Sequence, residues 1–214
     1  MSDATVAKPP RIGLLGGSFD PIHTAHLQLA LSARRELALD TVWLIPAGEP
    51  WQRDPLAASQ ADRWAMLEFA IAGHAGLRGC DIELKRQGPS YTIDTLRALQ
   101  SAHPDAAFTF ILGADQLRNL TSWNGWEEIA ACVDLAVARR PGYSDAAAPG
   151  LLHALARAGH GLHRLSMDAI DLSATRVRER IARGLPLGTL VPEAVARYIE
   201  DHHLYSTPAP HGHS

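Results

Sequence analysis

Two histidines three residues apart, His23 and His26, follow the run Gly16-Gly17-Ser18-Phe19-Asp20-Pro21-Ile22. Imidazole donors aimed at phosphoryl oxygens neutralise charge that builds on a leaving pyrophosphate. A glycine pair lets the backbone approach a bulky anion with no Cβ in the way, and the free amides of a helix start favour negative charge there. Together they predict a phosphate site. An isolated histidine would read as a cap or a surface residue, but two of them behind Gly-Gly-Ser-Phe-Asp-Pro reverse that balance. His-x-x-His also offers two metal ligands. No third partner lies nearby in sequence, and Asp20 reads as a turn former before Pro21, so no dedicated metal site is expected. Gly16-Gly17 is not part of a G-x-G-x-x-G fingerprint, and no P-loop lysine follows, which weighs against dinucleotide and P-loop sites.

This turn needs a strand to carry it and a helix to leave it. The apolar run ending at Leu14 and Leu15 reads as a buried strand, and the periodic leucines and alanines from about Leu27 to Leu37 read as a helix. Apolar runs over 41–46, 77–84, 108–112, 133–138 and 162–167 read as further strands, the last at an edge. Helices are expected over 61–72, 93–101 (capped from Ser90-Tyr91-Thr92), 127–131, 151–158, 172–183 and 192–203. Residues 47–59 and 117–126 read as a loop and an irregular segment, and Ala146 to Gly150 as a connector. Alternation of strand and helix predicts an α/β fold with a doubly wound parallel sheet and a C-terminal helical segment. The carboxyl ends of such strands share one side, so residues distant in sequence meet in one pocket.

With 214 residues, 46% of them hydrophobic, the chain buries one core, expected over 11–205 between disordered segments 1–10 and 206–214. A formal charge of −3 argues against nucleic acid or an acidic membrane as partner. The start resembles neither a signal peptide nor an anchor, and no apolar run approaches the roughly 20 residues that span a bilayer. Two cysteines, Cys80 and Cys132, do not make a disulfide framework and fit a reducing, cytoplasmic setting. The oligomeric state is left open.

The first block, Gly16 to His26, resembles the signature of the nucleotidyltransferase superfamily that shares the His-x-Gly-His motif, with Ala25 in place of the usual glycine. Further blocks follow in the same order: Ser90-Tyr91-Thr92-Ile93-Asp94-Thr95-Leu96, Phe110-Ile111-Leu112-Gly113-Ala114-Asp115, Trp123, Arg140-Pro141-Gly142-Tyr143 and Leu172-Ser173-Ala174-Thr175-x-x-Arg178. The set spans nearly the whole chain and is similar to the bacterial nicotinate-nucleotide adenylyltransferases, with a Rossmann-like nucleotidyltransferase fold.

That resemblance implies transfer of AMP from ATP, arriving with Mg2+, to nicotinate mononucleotide, giving deamido-NAD and pyrophosphate in NAD biosynthesis. ATP would meet Gly16, Gly17, Ser18, Phe19, His23, His26, Gly113, Asp115, Ser173, Thr175 and Arg178, with His23, His26 and Arg178 catalytic. The acceptor would meet Arg53, Tyr91, Thr92, Trp123 and Arg140. Read from the residues alone, Thr92 is equally an N-cap, and Arg53 and Arg140 are solvated charges. Trp123 is either core or, given its polar neighbours, a stacking surface for a cationic ring. The loop often written Pro-Pro-His-Lys in that family is Pro50-Trp51-Gln52-Arg53 here. Rival readings are a nucleotidyltransferase for another phosphorylated acceptor, such as phosphopantetheine, and a nucleotide-binding module without turnover.

Overall fold

The computed structural model describes residues 8–49, 56–139, 146–168 and 172–206. Its centre is β1 (Arg11–Gly17), hydrogen-bonded on both sides in parallel to β2 (Thr41–Pro46) and to β4 (Ala107–Gly113), so Leu15 lies between Leu44 and Ile111. A strand covered on both faces needs apolar side chains at successive positions, which is why Ile12 to Leu15 read as an unbroken run. Outside these lie β3 (Leu77–Gly79), β5 (Asp134–Arg139) and β6 (Leu162–Asp168), giving six parallel strands in the order β3-β2-β1-β4-β5-β6.

Helices cover both faces. Leu15 points into one core with α1 (Thr24–Glu36), α2 (Gln60–Ile71), α7 (Ala174–Ala182) and α8 (Glu193–Asp201). Ile12 and Leu14 point into the other, with α3 (Thr92–Ala102), α4 (Ala114–Asn119), α5 (Trp126–Cys132) and α6 (Pro149–Ala158). The expected doubly wound sheet is therefore present, and its order reverses between β1 and β4, where such sheets bind ligands. No helix among the described residues is long and apolar enough to cross a membrane.

Several boundaries differ from the sequence reading, each for a local reason. Helix α1 begins at Thr24, because the carbonyl of His23, itself in extended conformation, accepts the amides of His26 and Leu27. His26 thus belongs to the first helical turn. The strand expected over 77–84 stops at Gly79, where a Cβ would lie 2.6 Å from the Trp64 ring, and the chain turns through Asp81 to Lys85. Within 117–126, Ala114–Asn119 is helical and Leu120–Ser122 is a 3-10 turn. The connector at Ala146 runs into α6 two residues early, with Pro149 at a first-turn position where its missing N–H costs nothing. Pro10 is tied to the sheet through its carbonyl, which accepts the Ala107 amide. The disorder expected at 1–7 and 207–214 lies outside the described residues.

Candidate active site

At the β1/β4 crossover an open cavity of about 300 Å³ is lined by Gly16, Gly17 and Ser18 from the first turn and by Gly113 and Asp115 past β4. His23, Ala25 and His26 from the start of α1, and Ser173 and Ala174 from the start of α7, complete much of its wall. Neither α1 nor α7 has an acidic residue in its first turn, and both carry arginine in the last. Two positive helix ends therefore face one cavity with no carboxylate of their own to neutralise them.

The histidines form a stacked pair, ring centroids 3.6 Å apart. The backbone N–H of His23 donates to Nδ1 of His26 at 3.3 Å, so a neutral His26 carries its proton on Nε2 as a donor. Phe19 meets the His26 ring edge-on at 5.0 Å. His23 is only 4% exposed, and burial pushes its pKa down to about 4, leaving it neutral at physiological pH. Its buried Nδ1 has no hydrogen-bond partner among the described residues.

Phe19, expected beside ATP, is instead fully buried; it sits beneath Gly17, whose added Cβ would lie 3.0 Å from its ring. Glycine is needed here for close packing as much as for ligand approach. Thr175 directly follows the lining residue Ala174, and Arg178 stands one turn behind it. Arg178 donates from Nη1 to the carbonyl of Asp20 at 2.6 Å and from Nη2 to the Thr175 hydroxyl at 3.4 Å. Ser173 caps α7 by accepting the Arg176 amide.

Three residues the sequence reading did not place in the site support its floor. Asp20, read as a turn former, is 3% exposed, and its carboxylate accepts the amides of Ala57 and Ala58 at 2.8 and 3.0 Å. Arg63, 1% exposed, donates to the carbonyl of Ser18 at 2.8 Å. Burial lowers its pKa and the charge of Asp20 opposes that shift. Tyr205 donates to Asp20 at 2.7 Å, and burial together with that carboxylate raises its pKa. A signal existed for Arg63: on α2 it falls on the buried stripe with Met66, Leu67 and Ala70. Tyr205 had none.

Of the acceptor-side residues, the described Tyr91, Thr92 and Trp123 do not line this cavity. Tyr91 and Trp123 pack against the second core, and Trp123 meets Phe110 edge-on at 6.2 Å, the same ring that lies beside Gly16. Thr92 is the first residue of α3, one beyond the capping position, which Tyr91 occupies without a side-chain hydrogen bond. The cap reading of Thr92 is thereby corrected. Gly125 starts α5 with φ +68° and lies against Ile93, bringing the Trp123 turn beside the start of α3. Arg53 and Arg140 lie outside the described residues.

A parallel sheet in this order, with a Gly-Gly turn and paired histidines at its crossover, defines a nucleotidyltransferase, and residues 14–180 match the family model described as cytidylyltransferase-like. Relatives narrow the class. A Bordetella avium protein named "Probable nicotinate-nucleotide adenylyltransferase" is 52% identical over 91% of this chain and 98% of its own length. A protein of the same name from Methylibium petroleiphilum is 42% identical over 92% and 93%. The chain belongs to the nicotinate-nucleotide adenylyltransferase family. The fold agrees with that of the Plasmodium falciparum nicotinic acid mononucleotide adenylyltransferase solved with NaAD, at TM-score 0.75 and 18% identity, covering 92% of this chain and 97% of that one.

Proposed function

We propose that this chain transfers AMP from ATP to nicotinate mononucleotide, forming deamido-NAD and pyrophosphate. The observation that carries the reading is the cavity where two acid-free helix starts converge on a stacked histidine pair, its buried member His23 neutral at physiological pH. A 5′-phosphate oxygen of the acceptor attacks the α-phosphorus of ATP in line; that P–O bond forms as the bond to pyrophosphate breaks, with no covalent enzyme intermediate. The protein's work is positioning and charge stabilisation. Gly16, Gly17 and Ser18 let the triphosphate approach the backbone. His23 and His26 donate to its oxygens, and Ser173, Thr175 and Arg178 close on the β and γ phosphates. Gly113 and Asp115 hold the adenosine, Asp115 through ribose hydroxyls.

No three His, Cys, Asp or Glu side chains come together as a metal cage among the described residues. Mg2+ would arrive on the phosphates of ATP, where it would offset charge on the leaving pyrophosphate. Thr92 and nearby backbone read the nicotinate carboxylate, Tyr91 flanks it, and Trp123 stacks on the pyridine ring, with Arg53 and Arg140 as cations for the acceptor phosphate. The unpaired Cys80 and Cys132 support a cytoplasmic setting.

An acceptor panel tests this directly. Purified protein with ATP is expected to release pyrophosphate with nicotinate mononucleotide, and little with nicotinamide mononucleotide or phosphopantetheine. No release with nicotinate mononucleotide would sink the assignment; equal release with the amide would sink the carboxylate-reading role of Thr92.

The Gly125–Ile93 contact gives a second test. Gly125→Ala puts a Cβ about 3.2 Å from Ile93 at a left-handed residue, a strain of about 1–2 kcal/mol. By displacing Trp123 from stacking, the variant is expected to raise KM for the acceptor about fivefold to thirtyfold. KM for ATP should hold within twofold, and steady-state kinetics with each substrate varied in turn would reveal a common shift instead.

A further inference from the structure

We propose that Asp20 is a positioning residue that joins the phosphate turn, the end of the loop after β2 and Arg178 into one unit, and that Tyr205 latches this unit shut. Asp20 does not line the cavity, whereas Ser18 and His23 on either side of it do. Its carboxylate nevertheless collects donors from two distant places: the amides of Ala57 and Ala58, and the Tyr205 hydroxyl 185 residues away. Arg178 binds its carbonyl and has Nη1 3.9 Å from its carboxylate, so the same residue that holds the tail also sets the direction of that guanidinium. Arg63 holds the carbonyl of Ser18, two residues earlier, from the α2 side.

Backbone conformation supplies a second, independent observation. Phe19, beside Asp20, has φ +46°, and beyond α8 both His203 (φ +50°) and Tyr205 (φ +62°) are left-handed. L-residues with side chains rarely adopt that region, and they persist there when surrounding contacts over-determine them. Such residues stand on both sides of one O–H···O bond. The turns after α8 fold the chain back, with Leu204 and Tyr205 packed on the first core, and so deliver the hydroxyl to the underside of the phosphate turn.

The consequence rests on the proposed contact of Arg178 with the phosphates of ATP: loosening the latch loosens the ATP half of the site more than the acceptor half, whose Tyr91 and Trp123 pack on the other core. Tyr205→Phe removes the single hydrogen bond while keeping the ring in the core. Calorimetric titration with Mg-ATP in the absence of acceptor is expected to show Kd raised about fivefold to twentyfold against the unaltered protein. In the pyrophosphate assay KM for ATP should rise in parallel, and KM for nicotinate mononucleotide by a distinctly smaller factor. Unchanged ATP affinity, or equal weakening of both substrates, would overturn the latch. The binding arm decides the matter even for a protein that does not turn over, so a failed activity assignment is told apart from a failed latch. Asp20→Asn, which keeps size but replaces an accepting oxygen with an N–H donor facing the Ala57 amide, should lose more ATP affinity than Tyr205→Phe; a loss no greater than that of Tyr205→Phe would also count against the assignment.

Discussion

Replacing His26 by alanine is expected to lower kcat by about 10²–10³-fold, the usual consequence of deleting one preorganised donor to a developing oxyanion, or about 3–4 kcal/mol of transition-state stabilisation. The expectation follows from how the ring is held. Its Nδ1 is occupied by the His23 amide, its edge meets Phe19 and its face is stacked on His23, so Nε2–H stays aimed without ordering cost when the reaction occurs. The variant should fold, since losing the helix-start hydrogen bond from the His23 amide costs about 1 kcal/mol. Pre-steady-state and steady-state pyrophosphate release would show kcat and kcat/KM falling together. A rise in KM alone would assign His26 to ground-state binding of ATP.

The second large effect concerns stability and pH. His23 titrates at about 4 in the folded protein against 6.5 when unfolded, because burial disfavours the imidazolium. Between those values the unfolded chain binds the proton and the folded chain does not, so acid favours unfolding. The stability it contributes is complete above pH 6.5 and is lost as pH falls toward 4. A depression of this size is worth about 3 kcal/mol. Carboxylates titrate over part of the same range, so the measurement is comparative: urea unfolding of the unaltered protein and of His23→Gln at pH 7, 5.5 and 4. The unaltered protein is expected to lose about 3 kcal/mol more than the variant across that span. Parallel curves would mean that His23 takes its proton in the folded state.

The two cores were legible early because parallel strands with both faces covered write themselves as continuous apolar runs, as at Ile12 to Leu15 and Phe108 to Leu112. Period fails where a strand is short. At 77–84 an alternating pattern suggested eight residues, yet the β2 ladder covers only Leu77 to Gly79, and the chain then turns through Asp81 to Lys85. Thr92 shows the same limit at a helix start: Ser, Tyr and Thr in a row name a boundary, and the fold chooses which of them caps it.

For the site, the sequence by itself determined the Gly-Gly turn, the histidine pair and the late Ser173-Ala174-Thr175 helix start, since short-range chemistry at strand and helix ends is local and leaves a readable motif. Tertiary structure alone decided which residues hold them. The Phe19 side chain packs beneath Gly17, and Asp20, in the turn where the sequence put it, also gathers the Ala57 and Ala58 amides and the Tyr205 hydroxyl. Arg63 and Tyr205 entered from 43 and 185 residues beyond Asp20. A buried charge owes its stability to partners that desolvation forces it to find, and those partners are neighbours in space rather than along the chain.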